Sequence, residues 1–85
     1  MTQVFICHRV ANYDTWRSVF DEAVGELPHR VWRGRDDPNL VIVWEEWDSR
    51  EAAEQSFGDE TTAQIMARAG VDPSSVRIDY VNEVA

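Results

Sequence analysis

His8 is the side chain in this sequence whose position best suits chemistry. It lies in an apolar segment near the start of the chain, in alternation with Val4, Ile6 and Val10. Alternate residues of a β-strand point to the same face, so this histidine is predicted to lie among aliphatic side chains. It is then either a hydrogen-bonded core residue or a pocket residue that takes a proton from a phenolic or enolic ligand, or orients a ligand oxygen.

Large aromatic side chains could form the walls of such a pocket. Trp16 lies on the apolar stripe of a predicted helix, where it is either a core residue or one wall of a slot for a planar ligand. Trp32 and Trp44 fall in successive predicted strands and could face the same side, although a shift of one residue in register would reverse this assignment. The candidate ligand-binding residues are therefore Trp16, Phe20, Trp32, Trp44, Tyr80 and Asn82.

Other kinds of site have little support. Cys7 is the only cysteine, which excludes an intrachain disulfide and a cysteine-based metal site. The two histidines show no spacing typical of metal ligands, and there is no glycine-rich phosphate loop. Glu45 and Glu46 are adjacent, so they must point to opposite faces of a strand and cannot form a paired-carboxylate site. We therefore expect neither a metal nor a bound cofactor.

The charge balance limits the partners. The chain has 16 acidic and 8 basic residues, for a formal net charge of −8. Nucleic-acid binding depends on Lys and Arg that neutralise phosphates, so this composition argues against it. The chain does not begin with a signal-like segment, and no apolar run reaches the roughly 18 residues of a membrane span. A cytoplasmic protein without membrane or nucleic-acid partners is expected.

The hydrophobic periodicity predicts two strand–helix–strand units in succession. Asn12 is a predicted cap for the first helix, whereas Asp48 and Ser49 are equally good caps for the second. Gly58 is expected to interrupt the second helical region, which restarts at Asp59 and ends near Gly70. Predicted strands cover residues 3–10, 29–35, 40–47 and 76–84, and the first helix covers residues 13–27.

These elements define a topology. Right-handed crossovers in both units place the first and third strands at the centre of one antiparallel sheet. The apolar third strand suits a central position, and the charged second strand suits an edge. The result is a single α+β domain over residues 1–85, a ferredoxin-like βαββαβ fold with the helices on one face. Because the other face is also partly apolar and a domain this small is marginal alone, a homodimer is expected.

Several segments together resemble a known family. The first is a strand-to-helix junction of the form His-x-Val-x-Asp/Asn-Tyr-Asp-x-Trp at residues 8–16, and the others, in order, are residues 37–39, 46–49, 57 and 66–71. This order is similar to that of antibiotic biosynthesis monooxygenase-like proteins, which are dimeric α+β barrels. The resemblance covers nearly the whole chain. It implies two subunits with their sheets face to face, and a ligand pocket between the sheet and the helices of each subunit.

Two functional hypotheses follow. The resemblance implies a cofactor-independent monooxygenase, or a polyketide cyclase, that acts on an aromatic or polyketide-like molecule with His8 as the candidate base. The small number of convergent polar groups favours instead a non-catalytic dimer that binds a small molecule or serves as an accessory subunit. In the second case Trp16, Phe20 and Trp32 would fill the space between helices and sheet, so a cavity there favours the first hypothesis.

Overall fold

The chain folds into one antiparallel sheet with three α-helices, as described for residues 1–85 by a computed structural model. The helices are α1 (Tyr13–Val24), α2 (Arg50–Phe57) and α3 (Glu60–Arg68), and a 3₁₀ turn at Pro73–Ser75 precedes the last strand. The strands are β1 (Thr2–Arg9), β2 (His29–Arg33), β3 (Leu40–Trp47) and β4 (Arg77–Val81). No helix combines the length and the hydropathy needed to cross a lipid bilayer. The order of elements confirms the predicted βαββαβ fold.

The strand order is β2-β3-β1-β4, which confirms that β1 and β3 are central. The register of β1 against β3 pairs His8 with Val41 and Val4 with Glu45. Directly paired residues of neighbouring strands point to the same face, so these four side chains share one side of the sheet. All four are buried, because the helices cover this side.

Local side-chain contacts determine where the helices start and end. Asn12 caps α1, as predicted, by accepting a hydrogen bond from the backbone of Thr15 at 3.0 Å. The helix ends at Val24 rather than at residue 27, because Gly25 takes a positive φ of 58° that an α-helix cannot continue through. Of the two possible caps of α2, Ser49 is the one that accepts from a backbone N–H, at 3.1 Å from Ala52.

The core lies between the sheet and the helices. Its side chains are mainly aliphatic and come from β1, β3 and the helices, and they surround Trp16, which is 3% exposed. The nine buried apolar residues are Val4, Ile6, Val10, Trp16, Val41, Val43, Ala53, Ala69 and Val71. Two polar residues, His8 and Glu45, are buried among them. Burial of an ionisable group is unfavourable unless a partner compensates it.

The opposite face of the sheet has no helix over it. Phe5 is paired with Trp44 there, and Ile42 is paired with both Cys7 and Trp32. The rings of Phe5 and Trp32 stack with centroids 6.1 Å apart, and Trp32 is still 46% exposed. We call this surface, formed by Phe5, Cys7, Trp32, Ile42 and Trp44, the open face.

Candidate functional site

A cavity of about 530 Å³ lies between the helix-covered side of the sheet and helices α1 to α3. This volume falls within the usual range for small-molecule sites, roughly 300–1,000 Å³. The floor consists of residues from β1 and β3, and the walls come from the helices and from the segment that leads into β4. The lining is largely apolar, and its side chains with polar atoms are His8, Trp16, Glu45, Trp47, Ser56 and Thr62.

His8 lies on the cavity floor and is 4% exposed. Its ring nitrogen Nδ1 is fully buried and makes no hydrogen bond. Because Nδ1 is enclosed, Nε2 is the nitrogen through which this ring can meet a ligand. For Nε2 to accept a proton, the neutral ring must carry its own hydrogen on Nδ1. Burial also lowers the pKa of His8, since removal from water disfavours the imidazolium ion. The ring is therefore neutral near pH 7.

An aromatic wall stands beside His8. The Trp16 ring meets the imidazole edge-on, with centroids 5.6 Å apart. Phe20 follows four residues later on the same face of α1 and stacks on Trp16 at 4.8 Å, with only 14° between the ring planes. Tyr13 extends the row, with its centroid 5.9 Å from that of Trp16. Two of the predicted ligand-binding residues, Trp16 and Phe20, thus lie with His8 around one cavity whose wall suits a flat apolar molecule.

Glu45 is a second buried ionisable group on the cavity floor, at 7% exposure. Its Oε1 accepts a hydrogen bond of 3.0 Å from the indole nitrogen of Trp47. Burial raises the pKa of Glu45, while this hydrogen bond and the nearby His29 partly oppose the shift. Glu45 is paired with Val4, four residues before His8, so the two groups are about 13 Å apart along the strand direction.

Glu45 is not among the site residues predicted from the sequence, although the strand pattern carries a signal for it. Glu45 has the same parity in β3 as Val41 and Val43, which predicts that it faces the core. The adjacent Glu46 points to the other side, where it accepts a hydrogen bond of 2.6 Å from Gln3. The prediction that the two carboxylates do not form a pair is confirmed, but one of them nevertheless belongs to the cavity.

Four of the predicted ligand-binding residues lie outside this cavity. Trp32 and Trp44 lie on the open face, because the register pairs them with Ile42 and Phe5. Tyr80 points to the helix side but lies outside the cavity, with the guanidinium group of Arg50 4.2 Å above its ring. The fourth, Asn82, follows the end of β4 and is exposed. The tryptophans of the cavity are instead Trp16 and Trp47.

The position of Trp47 completes the site at the Glu45 end. Its ring packs edge-on against Phe57 of α2, with centroids 5.8 Å apart. This contact fixes the indole so that its N–H points to Glu45. Within the chain, no three His, Cys, Asp or Glu side chains converge as a metal site would require.

Solved structures share this architecture, although no protein-family model and no curated protein matches the sequence. An antibiotic biosynthesis monooxygenase superposes with a TM-score of 0.72 at 16% identity, and the match covers 100% of both chains. SnoaB, a cofactor-independent oxygenase from Streptomyces nogalater, superposes with a TM-score of 0.74 at 13% identity, over 99% of this chain and 93% of SnoaB. The chain has the antibiotic biosynthesis monooxygenase fold.

A third structure of this fold comes from Chloroflexus aurantiacus J-10-fl, from a protein provisionally named an antibiotic biosynthesis monooxygenase. It superposes with a TM-score of 0.69 at 18% identity, over 100% of this chain and 95% of that one. The family resemblance seen in the sequence is therefore confirmed, and the shared fold extends over the entire chain. At these identities the similarity concerns the fold alone, because one fold can host unrelated activities.

Proposed function

We propose that this protein is a cofactor-independent monooxygenase-like enzyme that binds an aromatic or polyketide-type molecule in the cavity and uses His8 as its base. The observation that carries this proposal is the position of His8 on the floor of an apolar cavity of about 530 Å³. Its neighbour Trp16 provides a flat surface for a planar ring. SnoaB, which shares the fold, is a cofactor-independent oxygenase, and this agrees with the proposed reaction type.

The chemistry requires a substrate that can form a carbanion. Nε2 of His8 takes a proton from a phenolic or enolic substrate, and the negative charge spreads to a ring carbon. The carbanionic carbon, which carries one hydrogen, forms a C–O bond with molecular oxygen, and the proton held by His8 returns to the resulting peroxide to give a hydroperoxide. The hydroperoxide then loses water to leave a carbonyl group: one oxygen atom stays on the carbon, and the other leaves as water with the returned proton and the remaining hydrogen of the carbon. The substrate supplies all the electrons.

The surroundings of His8 suit the deprotonation step. The lowered pKa keeps the imidazole unprotonated and ready to accept a proton at neutral pH. The apolar lining excludes water, which would otherwise protonate the carbanion. The stacked pair of Trp16 and Phe20 restricts a flat substrate to one plane above the base, and orientation of this kind lowers the barrier of the step.

The decisive assay measures oxygen uptake with a hydroxynaphthacene-type phenol in air. Replacement of a general base lowers turnover by about 10²- to 10⁴-fold, so His8→Ala is expected to show a loss of this size. Cys7→Ala is the matched control, because Cys7 is next in the strand and lies on the open face. Equal rates for wild type and His8→Ala would reject His8 as the base.

The same assay separates the alternative functions. A polyketide cyclase would convert its substrate without oxygen uptake, and a binding or accessory protein would bind the phenol and release it unchanged. A binding or accessory protein in which Trp16, Phe20 and Trp32 fill this space is not favoured. The space is open, and Trp32 lies on the other face of the sheet.

A second copy of the chain is the proposed occupant of the open face. This face presents the apolar side chains of Phe5, Trp32 and Ile42 without a covering helix. Pairing two such faces would bury them, as the homodimer expected from the sequence requires. Sedimentation should show a dimer for the wild type and for Val84→Glu, in which the replaced residue is 93% exposed. Trp32→Glu should be monomeric, and a monomeric wild type would reject the proposal.

A further inference from the structure

We infer, on the basis of the proposed function, that Glu45 is a second polar subsite, which binds a hydrogen-bond donor at the end of the ligand remote from His8. The proposed reaction uses His8 and leaves Glu45 without a role. The inference therefore concerns which molecules the cavity accepts, and it adds a specificity-determining residue to the site.

The burial and hydrogen bonding of Glu45 carry the inference. The side chain lines the cavity at 7% exposure, and Oε1 takes the one hydrogen bond that the chain supplies, from Trp47. An ionised carboxylate has sites for about four hydrogen bonds. A buried carboxylate is rare unless it is paired, since burial without partners is strongly unfavourable. A hydroxyl group on a bound ligand would supply the missing donor.

The surrounding contacts keep Glu45 in position for a ligand. His29, its cross-strand neighbour on β2, donates from Nδ1 to the carbonyl oxygen of Leu27 at 2.7 Å and packs edge-on against Phe20. On the other side, Trp47 is fixed by Phe57. The carboxylate therefore lies between two side chains that have their own packing partners, which limits its freedom to turn away from the cavity.

The separation of the two polar ends indicates the shape of the ligand. His8 and Glu45 are about 13 Å apart along the strands, and the lining between them is aliphatic and aromatic. The matching molecule is elongated, flat and apolar, with a hydroxyl group at each end. A body of three fused rings with two terminal hydroxyls has these properties.

The test compares 2,6-dihydroxyanthracene with 2-hydroxyanthracene, which lacks the second hydroxyl, by fluorescence titration of the intact protein. A hydrogen bond to a charged acceptor strengthens binding by about tenfold or more, so the diol should bind the wild type at least that much tighter. Glu45→Leu should remove this preference. Glu45→Gln keeps an acceptor for Trp47 and should reduce the preference, and it serves if the leucine variant does not fold. Glu46→Gln, the same change on the other face, should leave the preference intact.

The outcomes distinguish a failure of the Glu45 inference from a failure of the proposed function. Equal affinity of the wild type for both compounds, or an unchanged preference in both Glu45 variants, would overturn the inference and leave the proposed function standing. Failure of the wild type to bind either compound would overturn the proposed function and this inference with it. Preference lost in Glu45→Leu and retained in Glu46→Gln would support the inference.

Discussion

Replacement of His8 by leucine is expected to stabilise the fold while it removes the proposed base. In the native protein Nδ1 of His8 is buried without a hydrogen bond. Leucine has nearly the size of histidine and carries no polar atom. The substitution therefore removes an unsatisfied group and puts aliphatic contacts with Trp16 and Val41 in its place. Most substitutions in a core have the opposite effect, which makes this prediction a sharp test.

The size of this stabilisation follows from the missing hydrogen bond at Nδ1 of His8. A buried polar group without a partner costs about 1–3 kcal/mol, and the edge contact with Trp16 that is lost contributes about 0.5–1.5 kcal/mol. The net gain is about 1 kcal/mol in the free energy of unfolding. For a domain of this length each kcal/mol raises Tm by about 4–8 °C. Thermal unfolding followed by circular dichroism, at one fixed protein concentration, measures the difference directly.

The second histidine of the chain provides the control. His29 donates from Nδ1 to the carbonyl oxygen of Leu27 at 2.7 Å, so its hydrogen-bonding group is satisfied. The same change at this site, His29→Leu, removes a made hydrogen bond and should lower stability by about 1 kcal/mol. Two histidine-to-leucine substitutions are thus expected to shift Tm in opposite directions. A decrease in Tm for His8→Leu similar to that for His29→Leu would refute the reasoning.

Three further predictions concern pH, a helix end and a helix cap. Because burial lowers the pKa of His8, the unfolded chain takes up a proton at this site at a higher pH than the folded protein does. Urea unfolding should therefore show that the free energy of unfolding of the wild type decreases as the pH drops below 6.5, and that it decreases less in His8→Leu. Gly70→Ala should lower stability by about 1–2 kcal/mol, because φ is 75° at this position and an L-residue is strained there. The added Cβ would lie 3.6 Å from that of Ala11, which is not a clash, so the loss measures the backbone strain alone. No change in Tm would contradict this conformation. Ser49→Ala should cost about 1 kcal/mol and Asp48→Ala much less; equal losses would contradict the cap assignment.

The fold could be predicted because its local signals agree with one another. The bounds of β3 and the interruption at Gly58, with Asp59 as the next cap, follow directly from residue types and match the structure. The edge strands are shorter than predicted because strand length depends on the neighbouring strand as well as on the pattern. In β4 the pairing with β1 ends at Val81, so the apolar alternation beyond it has no partner.

The site was less predictable, because it depends on register and on space. Parity within β1 placed His8 correctly, and helical spacing placed Trp16 and Phe20. The faces of Trp32 and Trp44 depended on register between strands, which parity within one strand does not determine. The volume that the helices leave open above the sheet has no signature in the sequence at all.

The two buried ionisable groups of the cavity lower stability in opposite pH ranges. Because the pKa of Glu45 is raised in the folded protein, the free energy of unfolding decreases as the pH rises above 4.5. Because the pKa of His8 is lowered, the free energy of unfolding decreases as the pH falls below 6.5. Below pH 4.5 the cost of burying Glu45 is relieved while that of His8 is present, and above pH 6.5 the reverse holds. Hence no pH relieves both groups. Exceptions of this kind to the rules of core packing are expected at functional sites, and this supports the proposal that a ligand binds in the cavity and compensates both groups.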